Sequence, residues 1–226
     1  MKVRVWDLPT RLFHWCTVLC FVGLIITGEV AGDAMVWHFR LGYALLTLLL
    51  FRVVWGFTGG YWSRFSSFVK SPAGILRYLK GVDGANANIG HNPLGALSVL
   101  GILGMLLLQI AAGMMSDDEV FVSGPLVGKV PATWVQAATF FHTEIGKVVL
   151  IVLALLHVSA ILWYRFKKND NLVPAMIHGD KQLSGNVTAS QDNMRSRLAA
   201  LLVLVLCAGA VGALLWWAQT TSAGAM

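Results

Sequence analysis

The sequence has little charge, few cysteines and few prolines. Of its 226 residues only 12% are charged and 57% are hydrophobic, whereas a soluble domain carries about 25% charged residues. This composition excludes a disordered chain and argues against an ordinary cytosolic globule. The three cysteines form no CxxC pair, which excludes a disulfide scaffold and covalent haem attachment through a CxxCH motif.

Five apolar stretches are each long enough to cross a bilayer, which takes about 20 mostly apolar residues. They cover residues 12–30, 37–57, 94–115, 141–166 and 198–219. We therefore predict an all-α fold, an integral membrane helical bundle in which one transmembrane domain accounts for residues 1–226. The first stretch begins like a signal peptide, but no cleavage site follows Ile26, so we expect it to be retained.

The basic residues fall in loops on one side of the predicted membrane. Thirteen of them precede the first span or lie between spans two and three and between spans four and five: Lys2, Arg4, Arg11, Arg64, Lys70, Arg77, Lys80, Arg165, Lys167, Lys168, Lys181, Arg195 and Arg197. The opposite loops carry Lys129 and the acidic run 117–119. Because loops rich in Lys and Arg stay in the cytoplasm, we predict a cytoplasmic N-terminus and a periplasmic C-terminus. The net charge of +6 then reflects topology, and nucleic acid is excluded as a partner.

Four of the six histidines fall within the spans, where an ionisable side chain is costly and indicates function by default. His14 lies near the cytoplasmic end of the first span, and His38 lies near the outer end of the second. His142 begins the fourth span at its outer end, and His157 lies fifteen residues further in, which is about 22 Å of helix. The topology therefore predicts two layers, His14 with His157 and His38 with His142.

His142 and His157 also face the same side of their helix, because fifteen residues at about 100° each leave a net offset of about 60°. A helix that faces two partners at two heights suits two planar cofactors stacked across the membrane, each held by two imidazoles. A zinc site would need three or four ligands at one point, whereas each layer offers two nitrogens. The pattern favours haem, in which the ring already supplies four nitrogens.

Small and basic residues accompany the two layers. Gly42 and Gly146 each follow a predicted ligand by four residues and so share its helix face, where a bulky side chain would strike a porphyrin. Arg40 near the outer layer and Arg52 near the inner layer are candidate partners of the haem propionates. Simpler roles stay open, because glycines also serve helix packing in membranes and arginines also extend to the interface.

Three short segments resemble a known family. Residues 5–15, VWDLPTRLFHW, resemble the start of the bacterial cytochrome b561 family, and residues 90–96 (GHNPLGA) and 176–179 (MIHG) are similar to it as well. The similarity covers about residues 3–180. That family includes the b-type cytochrome subunits of nickel-iron hydrogenases and resembles the gamma subunits of formate dehydrogenases.

The resemblance implies a four-helix dihaem core with a fifth transmembrane helix, in the bacterial inner membrane. Carried over by position, His14 and His157 would ligate the cytoplasmic-side haem b, and His38 and His142 the periplasmic-side haem b. Such proteins pass electrons between the quinone pool and a periplasmic partner, for example a c-type cytochrome or an oxidoreductase subunit. Whether the chain is an enzyme by itself and whether it forms an oligomer both stay open.

Two other classes of function compete with an electron-transfer cytochrome. A transporter or proton relay would use the histidines to move ions, but the sequence lacks repeat symmetry and matching broken helices. A structural anchor of an oxidoreductase complex would use the histidines only for packing, which is the usual role of a single interfacial histidine. Bound haem would distinguish an electron-transfer cytochrome from both the transporter and the structural anchor.

Two polar residues near the third span have open roles. His91 is either a partner of a haem propionate or of a quinone, or an ordinary residue of a helix entry formed by Asn92 and Pro93. Gln109, inside the span, is expected to make an interhelical hydrogen bond.

Three polar features lie outside the histidine layers. Glu144 and Lys147 are expected to form an interfacial ion pair, with a proton-coupled quinone site as the alternative. The acidic run 117–119 is expected to steer a basic redox partner by charge, or else to be a solvated loop. The polar segment 180–193 is expected to form a mobile loop.

Overall fold

The computed structural model describes residues 1–80, 89–120, 122–183 and 185–220. Within these ranges, five segments are helical and apolar enough to cross a membrane: Leu8–Val30, Gly32–Thr58, Pro93–Met114, Ala132–Lys167 and Met194–Thr220. They overlap the five predicted spans, which confirms the all-α membrane bundle.

Besides short 3-10 and π-helical turns, the described residues form nine α-helices and two short strands. The helices are α1 (Leu8–Val30), α2 (Met35–Thr58), α3 (Phe65–Phe68), α4 (Pro72–Leu79), α5 (Pro93–Met114), α6 (Ala132–Phe140), α7 (Lys147–Lys167), α8 (Val173–His178) and α9 (Met194–Thr220). The strands β1 (Lys2–Arg4) and β2 (Asp180–Gln182) pair antiparallel, with Val3 opposite Lys181.

The fourth span differs from its prediction. It begins at Ala132 rather than near residue 141, because Pro131 precedes a helix, α6, that the sequence pattern assigned to a loop. Between α6 and α7 the backbone forms a π-helical turn over Phe141–Gly146. Such wide turns occur often at functional sites, and this one contains His142.

Two helix starts show why residues of the resembling motifs stand where they do. The Asp7 carboxylate accepts a hydrogen bond from the Thr10 backbone N–H at 2.8 Å, which caps the otherwise unpaired first turn of α1. At the start of α5, the Asn92 side chain accepts from the Gly95 backbone N–H at 2.7 Å, and Pro93 occupies the first helical position. The predicted helix entry at Asn92 and Pro93 is confirmed.

The chain divides into two compact units that alternate along the sequence. Unit 1 comprises Met1–Trp15, Phe51–Gly101 and Ala154–Val203, and unit 2 comprises Cys16–Leu50, Ile102–Leu153 and Leu204–Met226. The assignment of residues 1–226 to a single domain stays a prediction.

Asp7 is the centre of unit 1. It is fully buried, and besides capping α1 it accepts hydrogen bonds from the Ser63 hydroxyl at 2.8 Å, the Gly60 backbone N–H at 3.1 Å and the Trp55 indole N–H at 3.3 Å. All of these partners are hydrogen-bond donors, so the hydrogen-bonding capacity of the buried carboxylate is satisfied. This one side chain ties the start of α1 to the end of α2 and the turn that follows.

The three basic loops that the charge pattern assigned to one side contact one another in unit 1. β1 pairs with β2, and the Trp62 indole donates to the Thr188 carbonyl at 2.8 Å. The buried Ser190 hydroxyl donates to the Val5 carbonyl at 2.7 Å. The polar segment 180–193 was expected to be a mobile loop; in its described part it instead contains a strand and a buried serine, because its polar groups bond to the N-terminal backbone.

Replacing Asp7 by asparagine should destabilise the protein. The amide has nearly the same size, but its NH2 group would face only donors, which leaves buried groups unsatisfied at a cost of about 2 kcal/mol or more. We expect the melting temperature of the detergent-solubilised protein, followed by tryptophan fluorescence, to fall by several degrees. Asp33→Asn, at an exposed position, should leave it within the usual small effect of surface changes. Equal melting temperatures for both variants would contradict the role of Asp7.

Candidate functional site

The four membrane histidines form the two predicted pairs. In unit 1 the ring centroids of His14 and His157 are 6.4 Å apart. In unit 2 the centroids of His38 and His142 are 6.1 Å apart. Each pair therefore lies within one compact unit, although its two members are more than 100 residues apart in the sequence.

Both separations fit a single metal ion between two imidazoles. With metal–nitrogen bonds of about 2 Å and about 1.1 Å from each ring nitrogen to its ring centre, collinear ligands would place the centroids about 6 Å apart. Among the residues that the structure describes, no group of three or more His, Cys, Asp or Glu side chains is arranged to hold a metal ion. A porphyrin, which brings its own four nitrogens, suits such two-ligand sites.

In unit 2, both histidines are oriented by main-chain carbonyls. His38 Nδ1 lies 3.1 Å from the Leu24 carbonyl oxygen, and His142 Nδ1 lies 2.9 Å from the Gln109 carbonyl oxygen. Because a carbonyl can only accept, Nδ1 carries the proton in each ring, and Nε2 keeps a free lone pair. Metal-ligating histidines commonly donate their second ring N–H in this way, which fixes the tautomer.

A cavity of about 270 Å³ in unit 2 is lined by both histidines and by mostly apolar side chains. Gly42 lines it, and a Cβ atom added there would meet no atom within 4 Å. Gly146 does not line it: an added Cβ would collide with the Gln109 side chain. The glycine predicted to clear space beside His38 therefore faces the cavity, whereas Gly146 serves the packing of its helix against α5.

The cation at this cavity is not the one predicted. Arg40 is exposed, and its guanidinium lies over the Trp37 ring, 5.0 Å from the centroid, because residues three apart share a helix face. Lys147 lines the cavity instead, and its Nζ is 2.8 Å from Glu29 Oε1. The expected pair of Lys147 with Glu144 is replaced by this contact with Glu29.

In unit 1, buried nitrogen atoms of Arg52 and His14 lack hydrogen-bond partners. Arg52 is only 3% exposed, its guanidinium lies over the Phe65 ring, and its Nη1 has no hydrogen-bond partner. His14 Nδ1 is likewise buried without one. Since an unsatisfied buried donor is costly, this environment suits an anionic group such as a carboxylate. The propionate role of Arg52 stays a prediction.

His91 is a third histidine of unit 1 and packs between Trp6 and Phe68, with ring centroids 4.7 Å from each. Its Nδ1 is buried without a partner. Burial, with the charge of Arg52 as a smaller cause, lowers the pKa of His91 from 6.5 to about 3. The ring is therefore neutral at physiological pH and still has a nitrogen available for a hydrogen bond.

The opening motif and the segment 176–179 contact each other. The Val5 backbone N–H donates to the Gly179 carbonyl at 2.8 Å. Arg11 Nη1 donates to the Ile177 carbonyl at 2.6 Å, and the Trp15 indole donates to the Met176 carbonyl at 3.3 Å. Two of the three segments that resemble the family therefore contact each other next to His14.

Asp117 and Asp118 of the acidic run form hydrogen bonds within their own loop. Asp117 Oδ1 accepts from the Glu119 backbone N–H and the Ser123 hydroxyl, both at 3.0 Å. Asp118 Oδ1 accepts from the backbone N–H groups of Val120 and Val122. These contacts shape the loop, which weakens the expectation that the run serves mainly to steer a partner.

Sequence reasoning missed what orients His142. Gln109 was expected to bond between helices, and its amide does donate to the His142 carbonyl at 2.9 Å. The main-chain carbonyl of Gln109 also accepts a hydrogen bond from the His142 ring. Residue types could not predict this contact, because every residue has a main-chain carbonyl. The polar side chain within an apolar span was the one visible signal.

Comparison with known proteins identifies the family. Residues 5–179 match the family model described as prokaryotic cytochrome b561. The chain belongs to this family. The family consists of membrane b-type cytochromes, which implies haem b as the cofactor, and the five long apolar helices fit a multi-pass bacterial membrane protein.

Several relatives carry hydrogenase names. The probable Ni/Fe-hydrogenase 1 B-type cytochrome subunit of Escherichia coli (strain K12) is 29% identical over 143 residues, covering 51% of this chain and 60% of that protein. The probable Ni/Fe-hydrogenase B-type cytochrome subunits of Bradyrhizobium diazoefficiens and Azotobacter vinelandii are 25% and 28% identical. Those matches cover 80% and 78% of this chain and 86% and 87% of the relatives. The chain thus spans about 60% of the first relative's length and most of the others'.

The low pKa of His91 predicts a pH effect on stability. The unfolded chain protonates this ring below about pH 6.5, whereas the folded protein protonates it only near pH 3. The free energy of unfolding therefore decreases as the pH falls through this window. Between pH 6.5 and pH 5 this amounts to about 2 kcal/mol. We expect His91→Gln to flatten the fall in melting temperature over that interval, whereas His178→Gln, at an exposed position, should follow the unmodified protein. Parallel curves for all three would contradict the assignment.

Proposed function

We propose that this protein is a dihaem b-type cytochrome that carries electrons across the bacterial cytoplasmic membrane, between the quinone pool and a periplasmic redox partner. The observation that carries the proposal is the presence of two imidazole pairs, with centroids 6.4 and 6.1 Å apart, one in each compact unit. A transporter or a structural anchor would not need two such pairs with the spacing of metal ligands.

Two haems suit this task because one cofactor cannot bridge about 30 Å of hydrocarbon. His142 and His157 both belong to the fourth span, so this one helical segment would contribute a ligand to each haem. A haem supplies a one-electron couple when bound, and the protein sets its potential through ligands, burial and hydrogen bonds. The single domain 1–226 would serve to hold the two haems.

Each site offers residues for the parts of a haem. His14 with His157 would hold one haem, and His38 with His142 would hold the other. Arg52 would donate to a propionate in unit 1, and His91 is a second candidate donor there, since both have buried nitrogens without partners. In unit 2, Lys147 would serve a propionate in place of Arg40, and Gly42 leaves room for the ring.

The charge pattern supports the orientation of the chain, and the relatives support the class of partner. The basic loops favour a cytoplasmic N-terminus and a periplasmic C-terminus. Because several relatives are named as B-type cytochrome subunits of Ni/Fe hydrogenases, we propose that the periplasmic partner is an oxidoreductase subunit, with a c-type cytochrome as the alternative. The chain would then act as the membrane electron-transfer subunit of a quinone-linked enzyme.

Alanine substitution of the histidines tests the haem assignment. The purified protein should show a reduced-minus-oxidised spectrum of b type and two haems per chain by the pyridine haemochrome assay. We expect His14→Ala and His157→Ala to lose one and the same haem, and His38→Ala and His142→Ala to lose the other, because each haem would be held by both histidines of its pair. His178→Ala should retain both. A folded but colourless protein would favour the transporter or the anchor, and a single haem with all four histidines intact would refute the dihaem core.

Replacing the two arginines tests the propionate assignment. A buried positive charge stabilises the reduced haem, so Arg52→Gln should lower the midpoint potential of the haem at His14 and His157 by tens of millivolts, on the order of one charge interaction at intermediate dielectric. Arg40→Gln, whose side chain is exposed on Trp37, should leave both potentials unchanged in a redox titration. A shift with Arg40→Gln and none with Arg52→Gln would reverse the assignment.

A further inference from the structure

The two carbonyls that hold the unit 2 histidines share a local sequence feature. Leu24 in α1 faces His38, and Gln109 in α5 faces His142. Each of these residues is followed four positions later, in the same helix, by a glycine: Gly28 and Gly113 respectively. Neither glycine entered the sequence-based set of site residues.

Helix geometry explains why a glycine at this position matters. Side chains of an α-helix lean toward its N-terminus, so the residue at i+4 covers the surface over the turn that contains residue i. That surface includes the carbonyl oxygen of residue i. A glycine at i+4 leaves this oxygen open to a side chain from another helix, while the helical hydrogen bond to the same oxygen is kept.

The approach of the two rings shows that this space is used. A Cβ added to Gly113 would lie 2.6 Å from His142 Cε1 and 2.9 Å from its Nδ1, distances at which something must move. A Cβ added to Gly28 would lie 3.3 Å from His38 Cε1 and 3.4 Å from its Nδ1. Each imidazole therefore occupies the place that a side chain would otherwise take.

His142 is held at a second point. The Gln109 amide donates to the His142 carbonyl at 2.9 Å, within the π-helical turn Phe141–Gly146. The same residue thus fixes both the backbone and the ring of His142. α5 contributes none of the four proposed axial ligands, yet it determines the orientation of one of them.

We infer that Gly28 and Gly113 are positioning residues of the His38–His142 haem site. Each uncovers the main-chain carbonyl that accepts the Nδ1–H of the facing ligand, which leaves Nε2 free for the iron. A histidine that donates in this way is a more basic ligand and stabilises ferric haem. The inference rests on the proposed function, because it presumes that haem occupies this site.

The effect should be confined to one of the two haems. In the His14–His157 pair of unit 1, His14 Nδ1 has no hydrogen-bond partner, so the ligands there are not held by the same pair of contacts. The haem of that pair then reports, within the same molecule, whether a variant has folded.

Two alanine variants with a matched control test the inference on the haem-loaded protein. Gly113→Ala and Gly28→Ala add one methyl group against His142 and His38. Gly104→Ala adds the same group on α5, where its Cβ would meet no atom within 4 Å. The measurements are haem per chain, redox titration and the ferric EPR spectrum, which depends on the relative orientation of the two imidazole planes.

We expect Gly113→Ala to change the EPR signal of the haem at His38 and His142 and to raise its midpoint potential, or to weaken haem binding there about 10- to 100-fold. Gly28→Ala should act in the same direction but less, because its Cβ would meet the ring at the longer distance. The haem at His14 and His157 should be unchanged in both variants, and Gly104→Ala should leave both haems unchanged.

Unchanged EPR spectra and potentials in both variants, or an equal change in Gly104→Ala, would overturn the inference. Should Gly113→Ala lose both haems and so fail to fold, Gly28→Ala alone decides, since its ring has to move only a few tenths of an ångström. An unmodified protein with fewer than two haems would instead refute the proposed function. The two failures are therefore told apart before any variant is compared.

Discussion

A pair of imidazole rings about 6 Å apart is the constraint on which the rest of this structure depends. Neutral rings at this separation are too far apart to bond each other, and polar nitrogens in an apolar bundle are costly when left unpaired. The arrangement becomes favourable when something between the rings binds both. The same separation occurs in unit 1 and again in unit 2, in the pairs His14–His157 and His38–His142.

The two units satisfy the constraint by different means. In unit 2 each ring donates its Nδ1–H to a main-chain carbonyl, and a glycine leaves space for the ring beside that carbonyl. His142 also lies in a π-helical turn. In unit 1, His14 belongs to the opening motif, residues 5–15, whose other residues connect distant segments. Asp7 accepts from four donors, and Arg11 and Trp15 donate to the backbone carbonyls of Ile177 and Met176. The electrostatics differ as well, since Arg52 is buried in unit 1, whereas Lys147 in unit 2 is paired with Glu29.

Prediction from sequence succeeded where a regular period carried the information. Span lengths follow from apolar runs. The pairing of the histidines follows from the helical rise per residue and from the alternating direction of successive spans, which together give the depth of each histidine. It failed for Arg40 and Gly146, because spacing gives the depth and the helix face of a residue but not its rotamer or its neighbour. Arg40 stacks on Trp37 instead of reaching the cavity, and Gly146 meets Gln109. The start of the fourth span was also misplaced, since α6 was assigned to the preceding loop, although the helix begins directly after Pro131.

By itself, the sequence determined the membrane class, the five spans, the grouping of the basic loops and the two histidine pairs, because each depends on hydrophobic length, charge or helical period. The tertiary structure alone decided which atoms orient those histidines. Carbonyl oxygens belong to every residue, and a glycine is significant only when another helix presses against it. Both facts are properties of contacts between distant segments, which no local pattern in the chain contains.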